Sequence, residues 1–425
     1  MKILIISMET WRSDTNGGNV LTNIFTGFDA KFAQIYCSSG EPDNKICSDY
    51  FQMTDAMAIR NITKKESMGI AFSDIEEPNE NCMKMDTTIS SVKRVGNFEF
   101  LRVAREIVWE LSDYKNDQLK KFVIDFDPDI IFAPCYGVSY MLSLTCYIVK
   151  ITKKPVISYI SDDSYSLRQF RFSPIFWLNR FVIRRKIRQT WKYYDLIYTM
   201  TSTQRDMMNK LGKPMKILCK SGTFNRDLSN KCINKPIRLI YAGGIYLNRW
   251  KTLIALVDAI KRINSDQVRF VLDIYTGNAL PKRAKSLLND GKNSFVHSVI
   301  SYEQLMDKYD QSDIALHVEA FDLKNRLNVR MSFSTKIVDC LDSGCAVMAI
   351  CDAKQGGYAY LKENDAAICV DSLKGIEDAL KKIQKYPEII QKYRKKAMQC
   401  GRRNHLQENI RENLKHDFEI IAAGE

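Results

Sequence analysis

Ser334, Thr335 and Lys336 stand directly ahead of Ile337-Val338-Asp339-Cys340-Leu341-Asp342-Ser343-Gly344. The stretch reads as a helix that opens on hydroxyl residues and stops at a glycine. A short buried strand, 346–350, and a loop bearing Gly356-Gly357 follow it. A helix N-terminus offers free N–H groups; with a hydroxyl cap and a lysine beside it, it makes an anion site. Asp339, one turn in, can accept hydrogen bonds from sugar hydroxyls. A phosphate site next to a ribose acceptor suits a nucleotide. A second basic cluster stands at another strand–helix junction, where Tyr241-Ala242-Gly243-Gly244 precedes Asn248-Arg249-Trp250-Lys251. Cations at a helix start oppose the helix dipole, so an anionic partner explains Arg249 and Lys251 better than solvation does.

Other residues carry weaker signals. Asp162 and Asp163 end an apolar run, and either could act as base toward a hydroxyl within hydrogen-bond reach or cap the next segment. Glu319 closes another run and reads equally as an exposed loop residue. Gly17-Gly18 would let backbone N–H groups approach a phosphate, or serve as a plain turn. His317 reads as a satisfied core residue; His297, at a strand end, could contact a ligand; His405 and His416 attract no chemical reading. The twelve cysteines include no CxxC, and with four histidines no zinc-ligand spacing arises. Thiols in apolar runs, such as Cys135, Cys146 and Cys369, read as core in a reducing cytoplasm.

The elements that position these residues follow from the apolar pattern. At 425 residues the chain exceeds the roughly 250–300 that one core serves, so two domains are expected. In the second half, strands at 238–244, 268–277, 295–300, 314–319, 346–350 and 366–370 alternate with helices at 252–263, around 282–288, 301–309 and 334–341. Continuous apolar strands separated by helices indicate a parallel sheet covered on both faces. The first half repeats the theme at 2–6, 32–36, 129–133, 156–160, 196–199 and 216–218. Residues 61–97 read as an irregular insertion and 220–236 as a linker. The N-terminal run is too short for a signal peptide and reads as a first strand. Residues 130–149 carry no charge, but Pro134 and Gly137 favour strand, loop and buried helix over a membrane span.

On these marks the chain resembles a glycosyltransferase of GT-B fold, nearest to the family-four type that uses nucleotide-sugar donors. The marks are Gly17-Gly18, Tyr241–Gly244 with Asn248–Lys251, and Ser334–Lys336 with Asp339 and Ser343-Gly344. The resemblance implies an α/β fold of two Rossmann-like, doubly wound domains facing across a cleft. Residues 1–222 would form the acceptor domain and 236–400 the donor domain, with 401–425 a helix packing back on the first. It implies that Arg249 and Lys251 grip the donor pyrophosphate without a metal or other cofactor, and that the sugar's configuration is retained. Gly17, Gly18, Gly243, Gly244, Glu319, Ser334, Thr335, Lys336 and Asp339 would complete the donor site. The family uses two glutamates separated by seven residues; Asp339 stands at the second place, while Met331 occupies the first. The family's N-terminal histidine is also missing, which leaves Asp162 and Asp163 as candidate catalytic groups.

Residues 164–194 contain eight basic and nine aromatic residues and no acidic one, a large share of the net charge of +13. Ser173-Pro174 looks like a helix start, and Ile183, Ile187 and Trp191 recur every four residues. Such a helix could lie on an anionic membrane surface, attract nucleic acid, or be a core helix with solvated cations. Lipid-linked acceptors used by similar enzymes favour the first, and no nucleic-acid partner is expected. The expectation is a cytoplasmic glycosyltransferase at the inner face of the plasma membrane. It would move a sugar from a UDP- or GDP-sugar to a carbohydrate acceptor in surface-polysaccharide, capsule or lipopolysaccharide assembly. A nucleotide-sugar epimerase of the same fold and a non-catalytic partner subunit are the alternatives.

Overall fold

The buried apolar runs become the strands of two sheets. A computed structural model describes residues 1–13, 15–73, 99–228, 231–280 and 282–424. The first sheet contains β1 (Lys2–Ser7), β2 (Lys31–Tyr36), β3 (Asp49–Gln52), β4 (Ile70–Ser73), β5 (Ile130–Phe132), β6 (Val156–Ile160), β7 (Leu196–Thr199) and β8 (Met215–Ile217). Their order is β4-β3-β2-β1-β5-β6-β7-β8, parallel except where β4 runs against β3. The second sheet contains β9 (Ile237–Ala242), β10 (Phe270–Tyr275), β11 (Ser294–His297), β12 (Ile314–Val318), β13 (Ala346–Ile350) and β14 (Ile368–Val370). Its order is β11-β10-β9-β12-β13-β14, with every pair parallel. In both, the strand order reverses beside the first strand of the half, which opens a ligand crevice at the carboxyl ends.

The helices of the first half are α1 (Asn16–Phe25), α2 (Asp55–Lys64), α3 (Glu99–Leu111), α4 (Asp117–Phe126), α5 (Ser139–Thr152), α6 (Pro174–Trp191) and α7 (Ser202–Met208). Those of the second are α8 (Arg249–Ile263), α9 (Lys282–Leu288), α10 (Tyr302–Asp310), α11 (Leu323–Asn328), α12 (Lys336–Asp342), α13 (Gly356–Glu363), α14 (Gly375–Lys385), α15 (Glu388–His405) and α16 (Gln407–Ala423). Side-chain caps set many of their starts: Thr15, Thr54, Asn116, Ser173, Thr201 and Asp322 each accept a first-turn N–H. Ser301 and Gln304 form the expected capping box.

The uncharged stretch 130–149 is strand, loop and buried helix, and among the described residues no helix is long and apolar enough to cross a membrane. The expected insertion at 61–97 is corrected in part: 61–64 finish α2, whose polar face hid it, and 70–73 form β4. Residues 74–97 of the expected insertion lie outside the described residues. Gly356-Gly357 opens α13 rather than a loop.

The last two helices tie the halves together. On α15, Arg394 is fully buried and pairs with Asp313 at 2.7 Å, just ahead of β12. On α16, Phe418 packs against Phe25, Phe28 and Phe132 of the first half, with ring centroids 5.5–6.2 Å apart. Asp417 accepts the Tyr198 hydroxyl at 2.6 Å and pairs with Lys216.

Candidate active site

After β9 the chain passes through Gly243, at φ +137, and then through Leu247 and Asn248, both left-handed at φ 55 and 63. At the two non-glycine residues such a conformation costs about 1–3 kcal/mol and persists only where neighbours hold it. Here Asn278 Oδ1 accepts the Ile245 N–H at 2.8 Å, and Asn248 Nδ2 donates to Asp322 at 3.1 Å. The turn aims Arg249, the first residue of α8, inward. Its Nε and Nη2 reach the two oxygens of Glu319 at 2.8 and 2.7 Å, and both side chains are buried. Burial alone would pull the guanidinium's pKa down, but the paired carboxylate outweighs it and raises it. Arg249 is therefore not the free cation that the sequence implied, although Nη1, with only a 3.4 Å contact to the Gly244 carbonyl, keeps donors available.

Lys251 does not join Arg249. It is exposed, with Nζ 5.4 Å from the Trp250 ring centroid. The cation that does approach is Lys336, at the start of α12. A Cβ added at Gly243 would lie 2.1 Å from Lys336 Nζ, so only glycine lets the ammonium pass over this turn. The same Nζ lies 5.2 Å from the Tyr241 ring centroid. Burial first and the Arg249 charge second lower the lysine's pKa from 10.5 to about 8. Arg249, Glu319 and Lys336 thus form one partly desolvated charged cluster at the carboxyl end of β9 and β12. His317 lies under it, fully enclosed, with burial holding its pKa at about 4; the imidazole is neutral at physiological pH.

The hydroxyl cap expected on α12 is not formed. Thr335 is already helical, and neither its side chain nor that of Ser334 caps the seven-residue helix. The chain instead turns through Ile337 N–H to Ser334 O at 2.9 Å and Val338 N–H to Thr335 O at 3.2 Å. Asp339 pairs with Lys220 of the linker. Asp342, three residues on, accepts the Phe224 N–H at 2.8 Å. The acidic face of α12 therefore fastens the segment that joins the two halves, with Lys220 on one of the two Asp339 carboxylate oxygens. Met331 is core, 1% exposed.

Across from this cluster the two aspartates separate. Asp163 is buried and accepts the Ser166 N–H at 2.7 Å, the Tyr165 N–H at 3.3 Å and the Ser166 hydroxyl, with Arg330 Nη2 at 3.6 Å. With these contacts it organises the loop that follows, which favours the capping alternative for Asp163 over a base. Asp162 reaches solvent and touches Ser332 Oγ at 3.4 Å. The walls around it raise its carboxyl pKa through desolvation, with Ser332 opposing and Asp163 adding to the shift. Gly17 and Gly18 are likewise occupied: the Gly17 N–H donates to Glu9 at 3.0 Å, and the Gly18 N–H to Thr15 Oγ1 at 3.0 Å. Their need is steric, since a Cβ at Gly18 would lie 2.0 Å from the Arg12 carbonyl oxygen. His297 pairs with Asp273 at 2.8 Å, and His405 bonds Tyr360 at 2.7 Å; both act within the fold.

Three side chains here were invisible to sequence reasoning: Lys220, Arg330 and Glu9. Each lies in a segment of no periodicity, and only tertiary contact reveals it.

Comparison with known proteins bears on the fold. Residues 254–415 match the model of a family described as glycosyl transferase-like. No curated protein matches the chain by sequence. Among solved structures, Anabaena HepE in complex with UDP is 12% identical over 99% of this chain and 100% of that one, with a TM-score of 0.62. Sucrose-phosphate synthase from Thermosynechococcus elongatus is 11% identical over 100% of both chains, with a TM-score of 0.60. The E. coli structure described as trehalose-6-phosphate bound with UDP-2-fluoro glucose is 9% identical over 98% of this chain and 99% of that one, with a TM-score of 0.58.

The chain has the GT-B fold. The fold class expected from the sequence is borne out, and so is the glycosyltransferase resemblance over 254–415. In a GT-B molecule of this order, the Arg249–Lys336 cluster occupies the carboxyl edge of the second sheet and Asp162 that of the first. The contacts between Asp162 and Ser332, Asp163 and Arg330, and Thr201 and the Met331 carbonyl show those edges meeting. Among the described residues, no group of three or more His, Cys, Asp or Glu is placed to hold a metal ion.

Proposed function

We propose that the protein is a glycosyltransferase that moves a sugar from a nucleotide-sugar donor, UDP- or GDP-linked, to a carbohydrate acceptor. The observation that carries this reading is the desolvated Lys336 ammonium seated over Gly243 beside Arg249. Departure of a nucleoside diphosphate builds negative charge, and preorganised cations in a low-dielectric site stabilise it without reorganising. Asp339 would accept the ribose hydroxyls on Oδ2, the carboxylate oxygen that Lys220 does not hold. Asp162 alone of the aspartate pair is free to face an acceptor hydroxyl, and its raised pKa suits a group that takes and returns a proton. Retention of configuration and independence from metal ions belong to the same proposal. Incubation with a panel of UDP- and GDP-sugars tests it: one donor should release its nucleotide slowly without acceptor. Interconversion of two donor sugars would instead identify an epimerase, and inertness toward all of them a non-catalytic subunit.

The two aspartates should respond oppositely. Asp162→Asn is expected to lower kcat about 100-fold or more, in the range of lost acid–base catalysis, with an unchanged melting temperature. Asp163→Ala is expected to cost about 1–3 kcal/mol of stability through its orphaned donors. Turnover and thermal unfolding of both variants check this; an active Asp162→Asn enzyme places the base elsewhere.

We further propose that the protein acts at the cytoplasmic face of the plasma membrane on a lipid-linked acceptor in surface-polysaccharide assembly. Residues 164–194 support this in part. Ile183, Ile187 and Trp191 are core, while Leu178, Phe181 and Val182 are exposed. Arg180, Arg184 and Lys186 are spent on the Asp163 and Tyr165 carbonyls and on Glu110, which leaves Arg168, Arg185, Arg188 and Lys192 in solvent. Each basic group near an anionic leaflet contributes about 1 kcal/mol. Sedimentation with phosphatidylglycerol vesicles should therefore fall sharply for Arg168→Gln/Arg185→Gln/Arg188→Gln, and equal sedimentation would make the segment purely structural.

A further inference from the structure

Between the first turn of α3 and the loop before α6 lies a pocket of about 540 Å³ whose walls are largely apolar and whose rim carries Arg171, Lys324 and one carboxylate, Glu99. Phe100, Phe170, Phe172 and Ile175 line it, and they are 55%, 40%, 87% and 43% exposed. Large apolar side chains gathered in water at one spot mark a binding surface. These are also held in place. Ser173 caps α6, Trp177 Nε1 donates to the Arg171 carbonyl at 3.0 Å, and the Phe170 and Phe172 rings meet edge to face at 4.9 Å. The cost of ordering them has been met in folding, which favours binding.

Two cations stand on the rim. Arg171 comes from the first half; its guanidinium has Glu99 at 4.0 Å and lies 5.6 Å from the Phe176 ring centroid. Lys324, exposed on α11, comes from the second half and lines the same pocket. Both also line an adjoining groove of about 570 Å³ that runs on to Tyr246, Asn248 and Trp250 at the start of α8. One continuous surface thus leads from an apolar pocket, past a cation from each half, to the turn that carries Arg249.

We propose that this surface binds the acceptor as a phosphate-bearing amphiphile, a long-chain alcohol phosphate carrying the sugar to be extended. The chain lies among Phe100, Phe170, Phe172 and Ile175, the phosphate between Arg171 and Lys324, and the sugar in the adjoining groove that points toward the donor. The apolar wall alone would fit any hydrophobe. The paired cations select an anion, and their origin in both halves places it at the mouth of the cleft rather than anywhere on the surface. The proposal rests on the glycosyltransferase reading and names its acceptor class.

Farnesyl phosphate below its aggregation limit is the probe, titrated calorimetrically in saturating UDP so that its phosphate does not compete at the donor site. One molecule is expected to bind per chain. Farnesol and inorganic phosphate are each expected to bind at least about tenfold more weakly, since each lacks one half of the recognition. Phe172→Glu and Lys324→Gln, both at exposed positions, should each weaken farnesyl phosphate about tenfold, while UDP affinity and melting temperature stay at wild-type values. Equal binding of farnesol, or full affinity in both variants, overturns the proposal, as does absence of binding. Failure of UDP to bind while farnesyl phosphate binds as described would count against the donor reading and leave this site standing.

Discussion

Arg249→Met is expected to lower stability by about 3–5 kcal/mol and to abolish sugar transfer. Its guanidinium and the Glu319 carboxylate are both buried and joined by two hydrogen bonds. Removing one member of such a pair leaves the other as an uncompensated buried charge, and that is what makes the cost so large. The reverse follows for the double variant Arg249→Met/Glu319→Leu, which removes both charges and keeps apolar volume. Its stability should return to within about 1 kcal/mol of wild type or exceed it, because well-packed apolar pairs often replace buried ion pairs without loss. Its activity should not return, since the Nη1 donors proposed to face the leaving diphosphate are gone. Chemical denaturation and turnover of the two variants, beside wild type, check this. Recovery of activity in the double variant would reduce Arg249 to a scaffold residue.

Lys336→Met is expected to do the opposite, weakening donor binding while sparing the fold. A charge-assisted contact to phosphate contributes about 1.5–3 kcal/mol, or roughly 10- to 150-fold in affinity. No carboxylate is hydrogen-bonded to Lys336 among the described contacts, so its removal leaves no buried charge alone. The pH dependence has a definite sign. With the folded pKa lowered from 10.5 to about 8, the unfolded chain holds the extra proton between those values. The penalty of the buried charge is thus fully present below about pH 8, and this group makes stability rise with pH from about 8 toward 10.5. The methionine variant should lack that rise. A bound diphosphate favours the charged lysine, so donor binding above pH 8 should take up a proton.

Much of the framework was legible because the strands are continuous apolar runs that only a sheet covered on both faces can bury. The central strands fell within a residue or two of their observed bounds, and Ser301 with Gln304 announced its helix by local chemistry alone. The short strands β3 and β4, on one side of the first sheet, and the polar helix α2 were not legible, since each is short and tertiary packing decides it. The site was legible by residue type and not by partnership. Arg249, Glu319 and Lys336 each stood at a recognisable strand–helix junction, but nothing in their spacing says that Glu319 neutralises Arg249. Lys251 looked equivalent to Arg249 two positions away, yet a helix turns successive residues by about 100°, which points one into the core and the other into solvent. Asp162 and Asp163 are adjacent, and only the turn built on Ser166 assigns one to structure and leaves the other free. Lys220, which holds Asp339, comes from a linker whose course no local pattern fixes.

The central claim is that the Lys336–Arg249 cluster holds the diphosphate of a nucleotide-sugar donor. Titration of UDP and GDP into wild type and Lys336→Met at pH 8.5, in two buffers of different ionisation enthalpy, addresses it directly. One of the two nucleotides should bind wild type with 1:1 stoichiometry and net proton uptake, and the variant should bind it at least about tenfold more weakly with the uptake lost. Equal affinity and equal proton uptake in wild type and variant, or no binding of either nucleotide to the wild-type protein, would contradict it.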